Sequence, residues 1–262
     1  TTPAEVRALY VHVPFCRARC GYCDFYSELY RADAVQPLLN ALSTELAGYA
    51  AQVELALETV FIGGGTPTVL PAEALQRLLH ICTRAARGRP SEFTVEANPA
   101  TIDAGKAAVL VSAGVNRVSM GAQSFEPAEL SVLERTHRPE QVPETIAICR
   151  SAGVRAVSLD LIFGIPGQSL QSWLFSLDQA IALAPEHISC YGLTYEPGTR
   201  LNARAQAGQV TPVDPELEAD MYEAAIDRLA AAVFAQYEIS NFARPGQQCR
   251  HNLTYWRNEP YL

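Results

Sequence analysis

Six short apolar runs, at residues 9–13, 59–62, 92–95, 117–120, 156–162 and 187–191, alternate along this chain with longer amphipathic stretches. The spacing of apolar residues predicts helices over 35–49, 71–86, 102–113, 139–152 and 170–183. Two of them stop at a glycine, Gly114 and Gly153, suited to a left-handed C-cap. Strands alternating with helices bury best as a parallel sheet with helices laid over it. No Gly-x-Gly-x-x-Gly follows the first strand, so the expected fold is α/β, a partial (β/α)6 TIM-like barrel rather than a dinucleotide fold. The expected division is a barrel over 1–195 and a C-terminal extension over 196–262.

Parallel α/β architectures gather ligands at the carboxyl ends of their strands. Unusual residues do follow each apolar run. Cys16, Cys20 and Cys23 follow the first, Gly63-Gly64-Gly65-Thr66-Pro67-Thr68 the second, and Glu96-Ala97-Asn98-Pro99 the third. Gln123 ends the fourth, Asp160 and Phe163-Gly164 mark the fifth, and Tyr191 and Thr194 the sixth. The glycines lack the lysine of a phosphate loop but permit close backbone approach to a ligand. Glu96 suits hydroxyl or ammonium donors, against the reading of a solvated surface carboxylate. Arg135 reaches a carboxylate in a bidentate way or is a surface charge. Asp160 lies inside an apolar run, where a carboxylate is costly unless paired or used.

The three cysteines have the spacing C-x3-C-x2-C. Three thiolates on one loop hold three irons of a [4Fe–4S] cube, and Phe25 stands where a fourth would be. A structural zinc site wants a second knuckle, which this chain lacks, although His12 and Asp24 are nearby. A disulfide leaves one of the three unpaired. Cys82, Cys149 and Cys190 sit in apolar contexts and read as small core residues.

A net charge of −8 and the absence of a basic run argue against nucleic acid as a partner. Apolar residues make up 48% of the chain, enough for a full core, yet no stretch reaches membrane-spanning length, which leaves peripheral membrane contact open. The first residues carry no leader pattern, and seven cysteines fit a reducing cytoplasm.

YVHVPFCRARCGYCDFY, FIGGGTPT, VEANP, GAQSF and DLIFGIPGQ, in this order, resemble the radical S-adenosylmethionine (SAM) superfamily. More narrowly, they resemble the branch of oxygen-independent coproporphyrinogen III oxidases and their relatives. The resemblance implies a [4Fe–4S] cluster on Cys16, Cys20 and Cys23. Its open iron chelates the methionine part of SAM, whose reductive cleavage gives a 5′-deoxyadenosyl radical. It implies that Gly64, Gly65 and Thr66 meet the methionine amino group, and that Glu96, Gln123, Arg135, Asp160 and Ile162 complete the pocket. Tyr10 and Tyr22 match positions lining cluster and cofactor.

Two departures, Phe25 and the nine residues before Tyr10, resemble instead the HemW-type heme chaperones, as does HNLTYW near the C-terminus. That likeness implies heme as a third cofactor and a heme-acceptor protein as a partner, and relatives that run on past the position of Leu262. His251 is then a candidate heme iron ligand, against the reading of a hydrogen-bonded histidine fixing a loop. Cys249 is a second ligand or an inert neighbour. The alternative function is the oxidase itself, decarboxylating coproporphyrinogen III to protoporphyrinogen IX.

Overall fold

The computed structural model describes residues 5–262; residues 1–4, where the segment read for a leader begins, lie outside the described residues. The chain opens with β1 (Glu5–Val13), β2 (Phe15–Cys16) and β3 (Glu28–Leu29), then α1 (Ala32–Ala50), β4 (Glu54–Gly64) and α2 (Ala72–Ala85). Next come β5 (Glu92–Ala97), α3 (Ala104–Ser112), β6 (Arg117–Gln123), α4 (Pro127–Val132), α5 (Gln141–Ala152), β7 (Ala156–Phe163), α6 (Leu170–Ala182) and β8 (His187–Gly192). α7 (Arg200–Gln206), α8 (Pro215–Ala231), β9 (Ala235–Gln236), β10 (Asn241–Ala243) and α9 (Arg250–Trp256) follow.

The main sheet runs in the order β1-β4-β5-β6-β7-β8-β10-β9. Its first six strands are parallel, and β10 and β9 add on antiparallel. This is an α/β fold with an open, partial barrel, as the alternation predicts. The period-two alternation of each strand separates two faces. Phe93, Val95, Val118, Met120, Leu159, Leu161 and Ile188 point outward and are fully buried. They share one hydrophobic cluster with Leu75 and Leu79 of α2, Leu110 of α3, Ile146 of α5 and Trp173 of α6. The opposite face carries Thr94, Glu96, Arg117, Ser119, Ser158, Asp160, His187 and Ser189, which line cavities. The helices are thus held by the outer face, and the inner face is left polar for binding.

Local chemistry fixes the helix ends. Asp103 caps α3 by accepting from the Lys106 N–H at 2.8 Å, and Ser169 forms a capping box with Ser172 at the start of α6. Gly153 closes α5 with φ of 101°, as its sequence position predicts. Pro71 precedes α2 as its N-cap instead of opening it.

Residues from 196 onward pack on both edges of the sheet. Met221, Ala225 and Leu229 of α8 join the main core, and the Trp173 indole N–H donates to the Met221 carbonyl at 2.8 Å. At the other edge, Leu262 exchanges backbone hydrogen bonds with Ala8 and Tyr10 of β1. Among the described residues no helix is long and apolar enough to cross a membrane.

Candidate metal and cofactor site

The cysteine loop is shaped by its neighbours. β2 and β3 pair across its base, with the Tyr30 N–H on the Cys16 carbonyl and the Glu28 N–H on the Pro14 carbonyl, both at 2.8 Å. The Gly21 N–H donates to Leu133 at the end of α4, and the Leu201 N–H of α7 donates back to Gly21 at 2.8 Å. Arg200 ties the Arg19 carbonyl to the Glu134 carboxylate. The glycine turn after β4 lies directly beneath. The Gly65 N–H reaches the Val13 carbonyl and the Thr66 N–H the Phe15 carbonyl, each at 2.8 Å.

Cys16, Cys20 and Cys23 are free, half-buried and face one cavity of about 770 Å³ at the strand carboxyl ends. That volume suits a ligand larger than a single metal ion. Tyr22, Gly64, Gly65, Thr66, Glu96, Gln123, Arg135, Asp160 and Ile162 line the same cavity. The sequence-derived site is therefore brought together at one place, apart from Tyr10 and His251. Those two line an adjoining cavity of about 260 Å³ lower on the inner face.

The polar groups are interlocked. Arg135 donates from Nη1 to the Cys20 Sγ at 3.4 Å and from Nη2 to the Gly121 carbonyl at 2.6 Å, leaving its buried Nε without a partner. Burial works against its charge, but Tyr22, Cys20 and Cys23 around it outweigh that and raise its pKa. Burial pushes the Cys16 and Cys23 thiols up. Glu96 accepts from the Gly64 N–H at 3.1 Å. Burial, reinforced by Asp160, pushes its carboxyl up to about 8. Asp160 accepts from the Ser119 hydroxyl at 3.2 Å, and its carboxyl is likewise raised by burial. Gln123 sits at a β-bulge with φ of 65°, which turns the end of β6 toward the cavity.

His251 does not face the cysteines. The residue is 1% exposed, with Nδ1 on the Thr59 hydroxyl and Nε2 on the Tyr255 hydroxyl, both at 2.9 Å. Burial lowers its pKa to about 4, so the ring is neutral. Cys249 is buried, with its thiol on Glu92. Phe25 is 65% exposed and stands where the two cavities meet. Ser119 and Ser189, absent from the residues expected at the site, also line the inner face, and strand alternation is their signal: 119, 121 and 123 share a face, as do 187, 189 and 191.

The Radical SAM superfamily pattern matches residues 10–180. The heme chaperone HemW of Bacillus subtilis (strain 168) is 41% identical over 98% of this chain and 69% of that protein. The heme chaperone HemW of Escherichia coli (strain K12) is 42% identical, covering 97% and 67%. The mouse radical S-adenosyl methionine domain-containing protein 1, mitochondrial, is 39% identical, over 97% and 58%. The chain spans 69%, 67% and 58% of the length of these three relatives. Among solved structures, the coproporphyrinogen III oxidase HemN from Escherichia coli aligns with a TM-score of 0.83 at 24% identity, covering 97% of this chain and 58% of that one. Elp3 of Methanocaldococcus infernus aligns at 0.60 and 16%, covering 86% and 54%. These two likenesses concern the fold. The chain belongs to the radical SAM superfamily, in the family of the HemW heme chaperones.

Proposed function

We propose that this chain is a heme carrier of the radical SAM type, working in a reducing cytoplasm. It holds a [4Fe–4S] cluster on Cys16, Cys20 and Cys23, binds SAM in the adjoining cavity, and binds heme for transfer to an acceptor protein. The observation that carries this reading is 41% identity to a heme chaperone across 98% of the chain.

The donor set fits the cluster and SAM. Three free, half-buried thiols share one cavity wall. A cube spreads its thiolates around a body, and three of them leave one iron without a protein sulfur. Arg135 beside Cys20 offsets the charge of thiolates held near it. Its unpartnered Nε suits an amino-acid carboxylate. The N–H groups of Gly64, Gly65 and Thr66 are spent on Glu96, Val13 and Phe15. What this turn offers an ammonium is therefore its carbonyls, with the Glu96 and Asp160 carboxyls beyond. Together the bound groups supply one-electron reduction next to a sulfonium.

Heme ligation through His251 requires Nε2 to leave Tyr255, because both ring nitrogens are engaged. Anaerobically reconstituted protein is expected to retain heme, His251→Ala to weaken retention, and Tyr255→Phe to preserve or strengthen it by freeing Nε2. Unchanged retention by His251→Ala removes His251 as the ligand, and no retention by the unaltered protein refutes the carrier reading. The alternative, a coproporphyrinogen III oxidase, has the 0.83 fold likeness behind it. Protoporphyrinogen formed anaerobically from coproporphyrinogen, reductant and SAM would establish that reaction instead.

A further inference from the structure

We propose that the lower cavity on the inner face is a carboxylate site. Arg117 and Thr94 are its donors, and it takes one acid arm of a ligand whose flat body rests at the cavity mouth. Arg117 opens β6 and is 4% exposed. Its Nη1 donates to the Gln247 carbonyl at 3.1 Å, and its Nη2 is buried with no partner. Among the described residues no carboxylate forms an ion pair with it. A buried guanidinium in this condition is costly, because its lost hydration is not replaced.

The neighbouring carboxylates are engaged elsewhere. Glu92 accepts from the Arg250 and His251 N–H groups, both at 2.9 Å, and so holds the start of α9. Of the two carboxylates that line the cavity, Glu96 accepts from the Gly64 N–H and Asp160 from Ser119, with Arg117 near enough to favour the charged form of Asp160 without pairing with it. Thr94 lies directly beside Arg117 in the ladder, and its fully buried hydroxyl also lacks a partner. Thr94 and Arg117, on two adjacent strands, thus line one cavity while each holds a buried, unmatched polar atom in its wall. A carboxylate has two oxygens to meet both, and its charge answers the cation.

The cavity of about 260 Å³ is below the roughly 300 Å³ at which pockets for whole drug-sized ligands begin, so it takes an arm and not a macrocycle. Its mouth is aromatic: Phe25, Tyr191 and Tyr255 line it and are 65%, 42% and 40% exposed. Such a rim suits a flat apolar body. A free small carboxylate and a tetrapyrrole propionate share the recognised chemistry. The second source rests on the heme reading above.

The test compares anaerobic binding of heme with that of heme whose propionates are methyl esters. One charge-assisted hydrogen bond contributes about 1.5–3 kcal/mol, so the free acid is expected to bind at least about tenfold tighter. Arg117→Gln should erase that preference and Arg117→Lys restore part of it. Independently of heme, sodium propionate should raise the Tm of the unaltered protein above sodium chloride at equal ionic strength, and should not do so for Arg117→Gln. A propionate effect without heme uptake keeps the carboxylate site and discards the tetrapyrrole as its bearer. Equal affinity for acid and ester, together with no propionate effect, overturns the proposal. Both measurements on the unaltered protein decide the matter even where Arg117→Gln fails to fold.

Discussion

Gly65→Ala probes the contact on which the cysteine loop depends. An added Cβ would lie 2.7 Å from the Phe15 carbonyl oxygen and 2.8 Å from the Pro14 carbonyl carbon and oxygen. These are main-chain atoms, so no rotamer change relieves the clash; the glycine turn and the strand leading to Cys16 must part. Overpacking of this kind costs about 1–3 kcal/mol. Separation also strains the Gly65–Val13 and Thr66–Phe15 hydrogen bonds, each contributing about 1 kcal/mol. The expected loss is about 2–5 kcal/mol, or roughly 5–20 °C in Tm for a chain of this size. Gly48→Ala is the matched control. It lies exposed in α1, where an added Cβ meets nothing within 4 Å, and should gain about 0.5–1 kcal/mol. Urea unfolding of the metal-free, reduced protein reads both, and iron content after anaerobic reconstitution reports the loop. A Gly65→Ala midpoint equal to the unaltered protein's, with full iron content, would refute the reasoning.

Replacing Cys16, Cys20 and Cys23 together with Ala should abolish the visible iron–sulfur absorption after reconstitution, while replacing Cys82 and Cys149 should leave it in place. Glu96→Gln should change the pH dependence of stability in the cofactor-free protein. A carboxyl raised from 4.5 to about 8 on folding binds its proton more tightly in the folded state. Folded stability therefore falls as pH rises from about 4.5 to about 8 and is then level. Glu96→Gln removes that slope, so its advantage over the unaltered protein should be absent in acid and grow to a plateau above about pH 8. Parallel melting curves across the range would refute the assigned burial. Gly64→Ala should displace His12, whose ring atoms lie 2.5–2.8 Å from the added Cβ at φ of 107°. The His12 contacts with Tyr10 and the Tyr26 carbonyl should then be lost, seen as faster amide exchange near Tyr26.

The parallel core was legible because each strand and helix pair carried its own period and Gly114 and Gly153 marked helix ends. The upper site was legible for a related reason: chemistry-bearing residues follow strand ends, where side chains need not serve the core. β9 and β10 left no comparable signal. Two and three residues are too short for alternation, and pairing of β10 with β8 and of β9 with β10, not local sequence, makes them strands. Tyr10 lies within a strand that also reads as core, so nothing local separates the upper cavity from the lower one. Arg117 stands at the start of a strand and looks like a solvated charge. Its burial depends on contacts distant in sequence, such as the carbonyl of residue 247 that it meets. Phe25 showed as a missing thiol, whereas its exposure at the junction of two cavities depends on loop 16–28 being closed by β2 and β3.

The most direct test of the carrier account is heme titration of the anaerobically reconstituted, SAM-supplemented protein, followed by gel filtration. Heme is expected to coelute with the protein at one equivalent, with the acid-labile sulfide content unchanged by its binding. Heme eluting apart from a cluster-loaded, folded protein would contradict it.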